Sequence, residues 1–287
     1  MKPILESTVV VVGLGLMGGS LAGALRGRCR KVVGVARRSE TINQAVSQGL
    51  IDAGTTCIES GLREADIVVL ATPVRTIVEL VRSIGPILPE GAVLIDLGST
   101  KVEILNAMGG LPAHVQPLGA HPMCGKELFG IGAADPHLYR GKTFILVPLP
   151  RTAPETIDVG RDLARSVGGV PLVLDDARRH DFLVGTLSHL PYLLACALVR
   201  TADATTSQDP VAWEIVASGF RDTSRVAASD VDMMTDIILT NRDEILKALQ
   251  EYGSHLRLLE GLVKEGDEKE LKEALSYVRG KRKEMFP

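Results

Sequence analysis

Aromatic residues are scarce in this chain. Trp, Tyr and Phe supply 3% of its 287 residues. Any core must therefore be aliphatic, and a hydrophobic fraction of 45% is enough to build a sizeable one. An excess of one charge is lacking too, with 32 Lys and Arg against 35 Asp and Glu and a formal net charge of -3. That balance gives no global attraction to nucleic acid or to an anionic membrane surface, so an anionic substrate needs a local basic site. Cysteine is sparse, and Cys29, Cys57, Cys124 and Cys196 form no CxxC pair. This spacing offers neither a zinc site nor a dithiol redox motif, and no metal is expected. Widely spaced thiols used as small packing residues suit a reducing cytoplasm. One long uncharged stretch, residues 8–25, follows Lys2 and has the length of a signal core or a membrane span. Gly13, Gly15, Gly18, Gly19 and Gly23 crowd it, which fits a strand, a tight turn and a helix instead. No membrane partner is expected.

The length suits two domains. Residues 8–12 form a short β-branched run of the kind that makes a buried parallel strand. Further strands are predicted at 31–36, 66–71 (DIVVLA), 92–97 (AVLIDL), 144–147 and 172–174, with helices near 40–48 and 77–87. Strands alternating with helices imply a parallel sheet wrapped by helices. After residue 175 the pattern is helical to the end, giving an α/β domain over 1–175 and an all-α domain over 176–287. Residues 183–199 are apolar on most faces and predict a deeply buried helix. Ser188, His189 and the following Arg200 argue against a membrane span there. Ile245, Leu249, Tyr252, Leu256, Leu259 and Val263 recur at spacings of 4, 3, 4, 3 and 4. This heptad seam requires a long partner helix, in the same chain or on a second subunit. Gly253 interrupts it at a cost of about 1 kcal/mol.

The glycine-rich turn carries the first chemistry. Gly13-Leu14-Gly15-Leu16-Met17-Gly18 matches GxGxxG, directly after a β-run and at the opening of a helix. The first glycine makes the turn, the second lets a pyrophosphate approach the backbone, and the third allows close helix–strand packing. The helix N-terminus adds free N–H groups for the phosphates. This is the fingerprint of a dinucleotide-binding Rossmann domain. The end of the second strand reads Val35-Ala36-Arg37-Arg38-Ser39, with no carboxylate before Glu40. Two guanidinium groups and a hydroxyl suit the 2′-phosphate of NADP better than the 2′-hydroxyl of NAD. Thr72-Pro73 closes another strand, where the pair can cap a helix and border the nicotinamide ribose.

Two polar segments follow strands: Asp96-Leu97-Gly98-Ser99-Thr100-Lys101, and residues 119–127, which hold His121-Pro122 and Glu127. A third, Gly219-Phe220-Arg221-Asp222-Thr223-Ser224-Arg225, lies in the helical half. His121, between Ala120 and Pro122 just past a strand, faces the crevice where a cofactor would lie. Together GLGLMGGSLA, DLGSTK, GAHPMCG, the SHLP of Ser188 to Pro191, and GFRDTSR make the chain resemble the prephenate/arogenate dehydrogenase family over nearly its full length.

The resemblance implies an N-terminal Rossmann domain, a helical C-terminal domain that forms a homodimer, and oxidative decarboxylation of a cyclohexadienol in tyrosine biosynthesis. It implies that His121 is the catalytic histidine and that Ser99 helps to position the substrate hydroxyl. It gives Arg225 the grip on a substrate carboxylate and places Ser188 and His189 near the substrate; should Arg225 instead bridge two elements, Arg221 in the same segment is the next candidate. Glu127 could pair with the ammonium of arogenate. Tyr192 stands where many prephenate-specific members have a second histidine, and GFRDTSR with the arginine-bearing cofactor loop looks more like the NADP-linked, arogenate-using branch. The start near the first strand and the end soon after the long helix suggest neither a fused mutase nor a regulatory domain. A β-hydroxyacid dehydrogenase and a non-catalytic NADP sensor are the alternatives. The first relies on a catalytic lysine in a helical segment that has no clear counterpart here, and it leaves His121-Pro122 and the Arg225 motif unexplained. The second does not require His121, Ser99 and Arg225 together.

Overall fold

The computed structural model describes residues 2–126 and 128–286. Its centre is a sheet of eight strands: β1 (Thr8–Val12), β2 (Lys31–Val35), β3 (Ala53–Thr55), β4 (Ile67–Leu70), β5 (Val93–Asp96), β6 (Gln116–Pro122), β7 (Thr143–Val147) and β8 (Val170–Val173). They lie in the order β3-β2-β1-β4-β5-β6-β7-β8. β1 to β6 are mutually parallel. β1, β4 and β5 are buried at every position, which is why they read as unbroken aliphatic runs rather than alternating ones.

Two layers of helix cover the sheet. α1 (Leu16–Leu25) and α2 (Ser39–Ser47) pack on one face with α6 (Pro154–Ser166). α3 (Ile58–Leu62), α4 (Val74–Ile84) and α5 (Val102–Gly109) pack on the other. α4 shows the logic: Val74, Ile77, Val78, Val81 and Ile84 are buried at the three- and four-residue spacing of one helical face.

The sheet departs from the all-parallel expectation at its far side. β7 runs antiparallel to β6, and β8 follows β7. A parallel neighbour needs a crossover, normally a helix. Between β6 and β7 the described backbone has only a 3₁₀ turn, Ile131–Ala133, so the chain comes straight back. This connection lies on α1. A Cβ on Gly19 would meet Ile131 Cδ1 at 2.7 Å, and Tyr139 donates its hydroxyl to Met17 O at 2.7 Å. The glycines of α1 beyond the GxGxxG motif thus make room for the segment that follows His121.

The remaining chain is helical, as expected: α7 (Ala177–Val184), a π-turn (Gly185–His189), α8 (Leu190–Thr206), α9 (Ser218–Ser224), a 3₁₀ turn (Arg225–Ala228), α10 (Val231–Thr240), α11 (Arg242–Glu265) and α12 (Glu268–Met285). The deep burial expected for residues 183–199 is not found. Within α8 only Leu190 and Ala195 are buried, and Leu187 is 74% exposed. The run Ala177–Thr206 is long and apolar enough to cross a membrane by length and composition. Its buried polar groups His180, Asp181 and His189, however, are bonded to other elements of the protein.

Candidate active site

The carboxyl ends of β1, β2, β4, β5 and β6 meet on one edge of the sheet. Val12 is in register with Val35 and with Leu70, and Leu70 with Asp96. The registers therefore bring together the Gly13–Gly18 turn, the Arg37–Arg38–Ser39 step, Thr72-Pro73, Ser99 and His121. Gly13 N donates to Val35 O at 2.9 Å, which sets the glycine turn beside the strand that ends at the two arginines. Arg37, Arg38 and Ser39 are exposed.

The glycine turn fits a dinucleotide. Gly13 has φ of 98°, and a Cβ there would lie 2.7 Å from Ala71 O. A Cβ on Gly18 would lie 1.9 Å from Gly13 O, so that glycine is needed for the helix to approach the turn. Gly15, by contrast, is the N-cap of α1, and a Cβ on it would meet nothing within 4 Å. No side chain caps that helix end, so its first N–H groups remain available to a pyrophosphate. Leu16 and Met17, the next two residues, are half-buried. Thr72 adds an independent sign. Its hydroxyl is buried and, among the described residues, has no hydrogen-bond partner. A buried polar atom of this kind calls for a ligand partner.

His121 lies near the end of β6, half-buried, and its position rests on a buried ion pair. Asp96 and Lys101 bond to each other with both side chains wholly inside the protein. Asp96 also accepts from Gly98 N at 2.7 Å and from Ala120 N at 3.2 Å. A buried carboxylate is tolerable only with such a set of donors, and this set ties the end of β5 to the residue before His121. Ser99 sits half-buried inside the same loop.

The helical half reaches this edge through α7. His121 Nδ1 lies 2.9 Å from His180 Nε2, and His180 Nδ1 lies 2.7 Å from Asp181 Oδ1. Asp181 also accepts from Lys101 N at 2.7 Å and Val102 N at 2.9 Å, at the start of α5. Asn241 donates to Asp181 O at 2.7 Å and lies 3.1 Å from His189 Nδ1. Thr100 and Thr240 share a hydroxyl bond of 3.0 Å, and Arg75 is paired with Asp236. Burial is the largest influence on all three imidazoles. It holds His121 well below the usual histidine range, aided by the nearby His180, Lys101 and His189. It lowers His180, and it lowers His189 to about 4.

The other candidates are less gathered. His189 is buried in the joint between the halves, while Ser188 beside it is exposed. Arg221, in the last turn of α9, and Arg225, opening the 3₁₀ turn, are exposed. Glu127 lies outside the described residues. His180, Asp181, Asn241, Thr240 and Arg75 were not singled out by the sequence. His180-Asp181 sits among ordinary helix residues, and only the fold shows that it meets residues 59 to 80 positions earlier.

Similarity to known proteins follows the same division. The family model described as "Prephenate dehydrogenase, nucleotide-binding domain" matches residues 21–173, and "Prephenate dehydrogenase, dimerization domain" matches residues 176–277. A prephenate dehydrogenase of Lactococcus lactis is 32% identical over 252 residues, 86% of this chain and 69% of that protein. A crystal structure of prephenate dehydrogenase from Aquifex aeolicus with hydroxyphenyl propionate and NAD+ has a TM-score of 0.89 and 34% identity, covering 99% of this chain and 100% of that one. A Synechocystis arogenate dehydrogenase has a TM-score of 0.81 and 31% identity, covering 97% and 99%.

Proposed function

The chain belongs to the prephenate dehydrogenase family, and from that premise we propose that it oxidatively decarboxylates prephenate or arogenate in tyrosine biosynthesis, with NADP as the preferred hydride acceptor. The observation that carries the reading is the placement of His121. It is a neutral imidazole on the carboxyl edge of the sheet that also bears the open glycine cradle. The substrate is a cyclohexadienol with a carboxylate on the ring carbon opposite its C4 hydroxyl.

A nicotinamide dinucleotide, when bound, supplies the acceptor for the C4 hydride. It would be held by Gly13, Gly15 and Gly18, by Thr72-Pro73, and by Arg37, Arg38 and Ser39 at its 2′-phosphate. His121 takes the hydroxyl proton as the C4–O bond gains carbonyl character. Electrons of the carboxylate bond enter the ring, CO₂ leaves, and the phenolic oxygen takes a proton back. Ser99 positions the hydroxyl. Arg225 offers a planar two-point grip on a carboxylate, with Arg221 as a second cation. Ser188, His189 and Glu127 complete the proposed surroundings of the substrate. Aromatisation drives the reaction, so the protein's task is to position the ring and to accept a proton.

Arg37 and Arg38, with no carboxylate before Glu40, support NADP. A soluble enzyme of this pathway belongs in the cytoplasm. Steady-state rates with prephenate and with arogenate, each with NADP and with NAD, test the proposal. Turnover of either substrate supports it, and a higher kcat/KM with NADP supports the cofactor preference. No turnover of either substrate overturns the reading, and equal or better use of NAD overturns the preference.

A further inference from the structure

His121 can accept a proton only through a bare ring nitrogen, and the hydrogen bonds of the joint decide which nitrogen that is. Asp181 Oδ1 faces Lys101 N as well as His180 Nδ1, and Oδ2 faces Val102 N. Both oxygens therefore meet backbone donors at the N-terminus of α5, where a carboxylate is favoured. As a carboxylate, Asp181 can only accept, so His180 must carry its proton on Nδ1. The Nε2 of a neutral His180 is then a lone pair. It lies 2.9 Å from His121 Nδ1, so that nitrogen must be the donor. A neutral His121 with its proton on Nδ1 presents Nε2 bare. Among the described residues nothing bonds that Nε2.

We propose that His180 and Asp181 are positioning residues that fix the tautomer of His121 with Nε2 unprotonated, and that they stabilise the imidazolium formed when Nε2 takes the substrate proton. The inference rests on the proposed role of His121 as proton acceptor. The relay crosses from the helical half to the sheet. Asp181 seats α7 on α5, and that docking brings His180 to His121. Without it an exposed imidazole would distribute its proton over both nitrogens, and a fraction of the enzyme would present an N–H to the hydroxyl instead of a lone pair. The burial that lowers both imidazoles keeps the pair neutral near pH 7. The charged and titratable groups facing it are Lys101, Asp96, Asp181 and His189.

The test has two arms. In wild-type protein labelled with ¹⁵N histidine, the His121 resonances are assigned by their loss in His121→Asn. They should show Nδ1 protonated and Nε2 bare at neutral pH. A His121 protonated on Nε2 overturns the inference, and this result does not depend on any His180 variant folding. In the second arm, His180→Leu should lower kcat about 10- to 100-fold with little change in KM or NADP affinity. His180→Gln, whose amide oxygen can still accept from Nδ1–H, should recover part of the loss. A leucine variant with wild-type kcat also overturns the inference. His121→Asn separates the two levels. If it retains near-normal kcat, the reading of His121 itself fails. If it is inactive while His180→Leu is normal, only the relay fails.

Discussion

The two halves of this chain are built to different degrees of completeness. In the sheet half, strands and helices close over two aliphatic clusters, and almost every large side chain inside is fully covered. In the helical half, α12 buries no residue at all, and on the seam of α11 Leu256 is 51% and Val263 70% exposed. Only the first seam residue, Ile245, is buried within the chain. The lesson is that one half is a finished domain, whereas the other presents surfaces for a second copy, in accord with its match to a dimerization domain. The proposed site lies where the halves join. The sheet supplies the proposed cofactor cradle and His121, and the helices the proposed relay and carboxylate grip.

The sharpest way to break this division is to remove a helical-half residue assigned to substrate. Arg225→Ala should raise KM by one to three orders of magnitude, a loss of about 2–4 kcal/mol in a charge-assisted contact. NADP affinity and Tm should stay near wild type, because the sheet half holds the cofactor. Arg225→Lys should rescue only part, since an ammonium lacks the two-point geometry. An unchanged KM with a lowered Tm would make Arg225 a structural bridge and pass the carboxylate to Arg221.

The assembly offers a second test. Leu256→Glu combined with Leu259→Glu places charges on the open part of the seam, and should weaken dimerisation about 100-fold or more in sedimentation equilibrium. Cofactor affinity should be unaffected. A variant as dimeric as wild type would show that α11 does not form the interface.

What the sequence disclosed follows the same contrast. The glycine turn and the strands of the sheet half were legible because each is a local pattern: a run of valines, or glycines at fixed offsets. β3 was not, because Ala53–Thr55 (AGT) has no aliphatic run to announce it. The reversal of β7 was hidden because it depends on a connection without a helix. In the helical half, apolarity was legible but its destination was not. Residues 183–199 looked like core because composition does not separate a buried apolar face from an exposed one. The joint around His121 was beyond reach for a different reason: His121 meets His180 across 59 positions, and Lys101 meets Asp181 across 80. Periodicity carries no information at such separations.

A further prediction concerns the pH dependence of the joint itself. Burial holds folded His189 at about 4, below its ordinary value near 6.5. A depressed histidine means that the unfolded chain binds more protons between those two values. Its contribution to stability is thus present above pH 6.5 and is lost as pH falls toward 4, by on the order of 3 kcal/mol. His189→Asn should flatten the fall in Tm over that window relative to wild type. Parallel curves would show that His189 titrates alike in both states and is not sealed in the joint.

The claim that most needs direct measurement is the coupling of oxidation to loss of CO₂. Wild-type protein with NADP and prephenate or arogenate should yield CO₂ and reduced nicotinamide in equal amounts from the same reaction, followed by trapped CO₂ and by nicotinamide absorbance. Reduced nicotinamide without CO₂ would place the chain among dehydrogenases of simple hydroxy acids. NADP binding with neither product would make it a sensor, and either result would contradict the account.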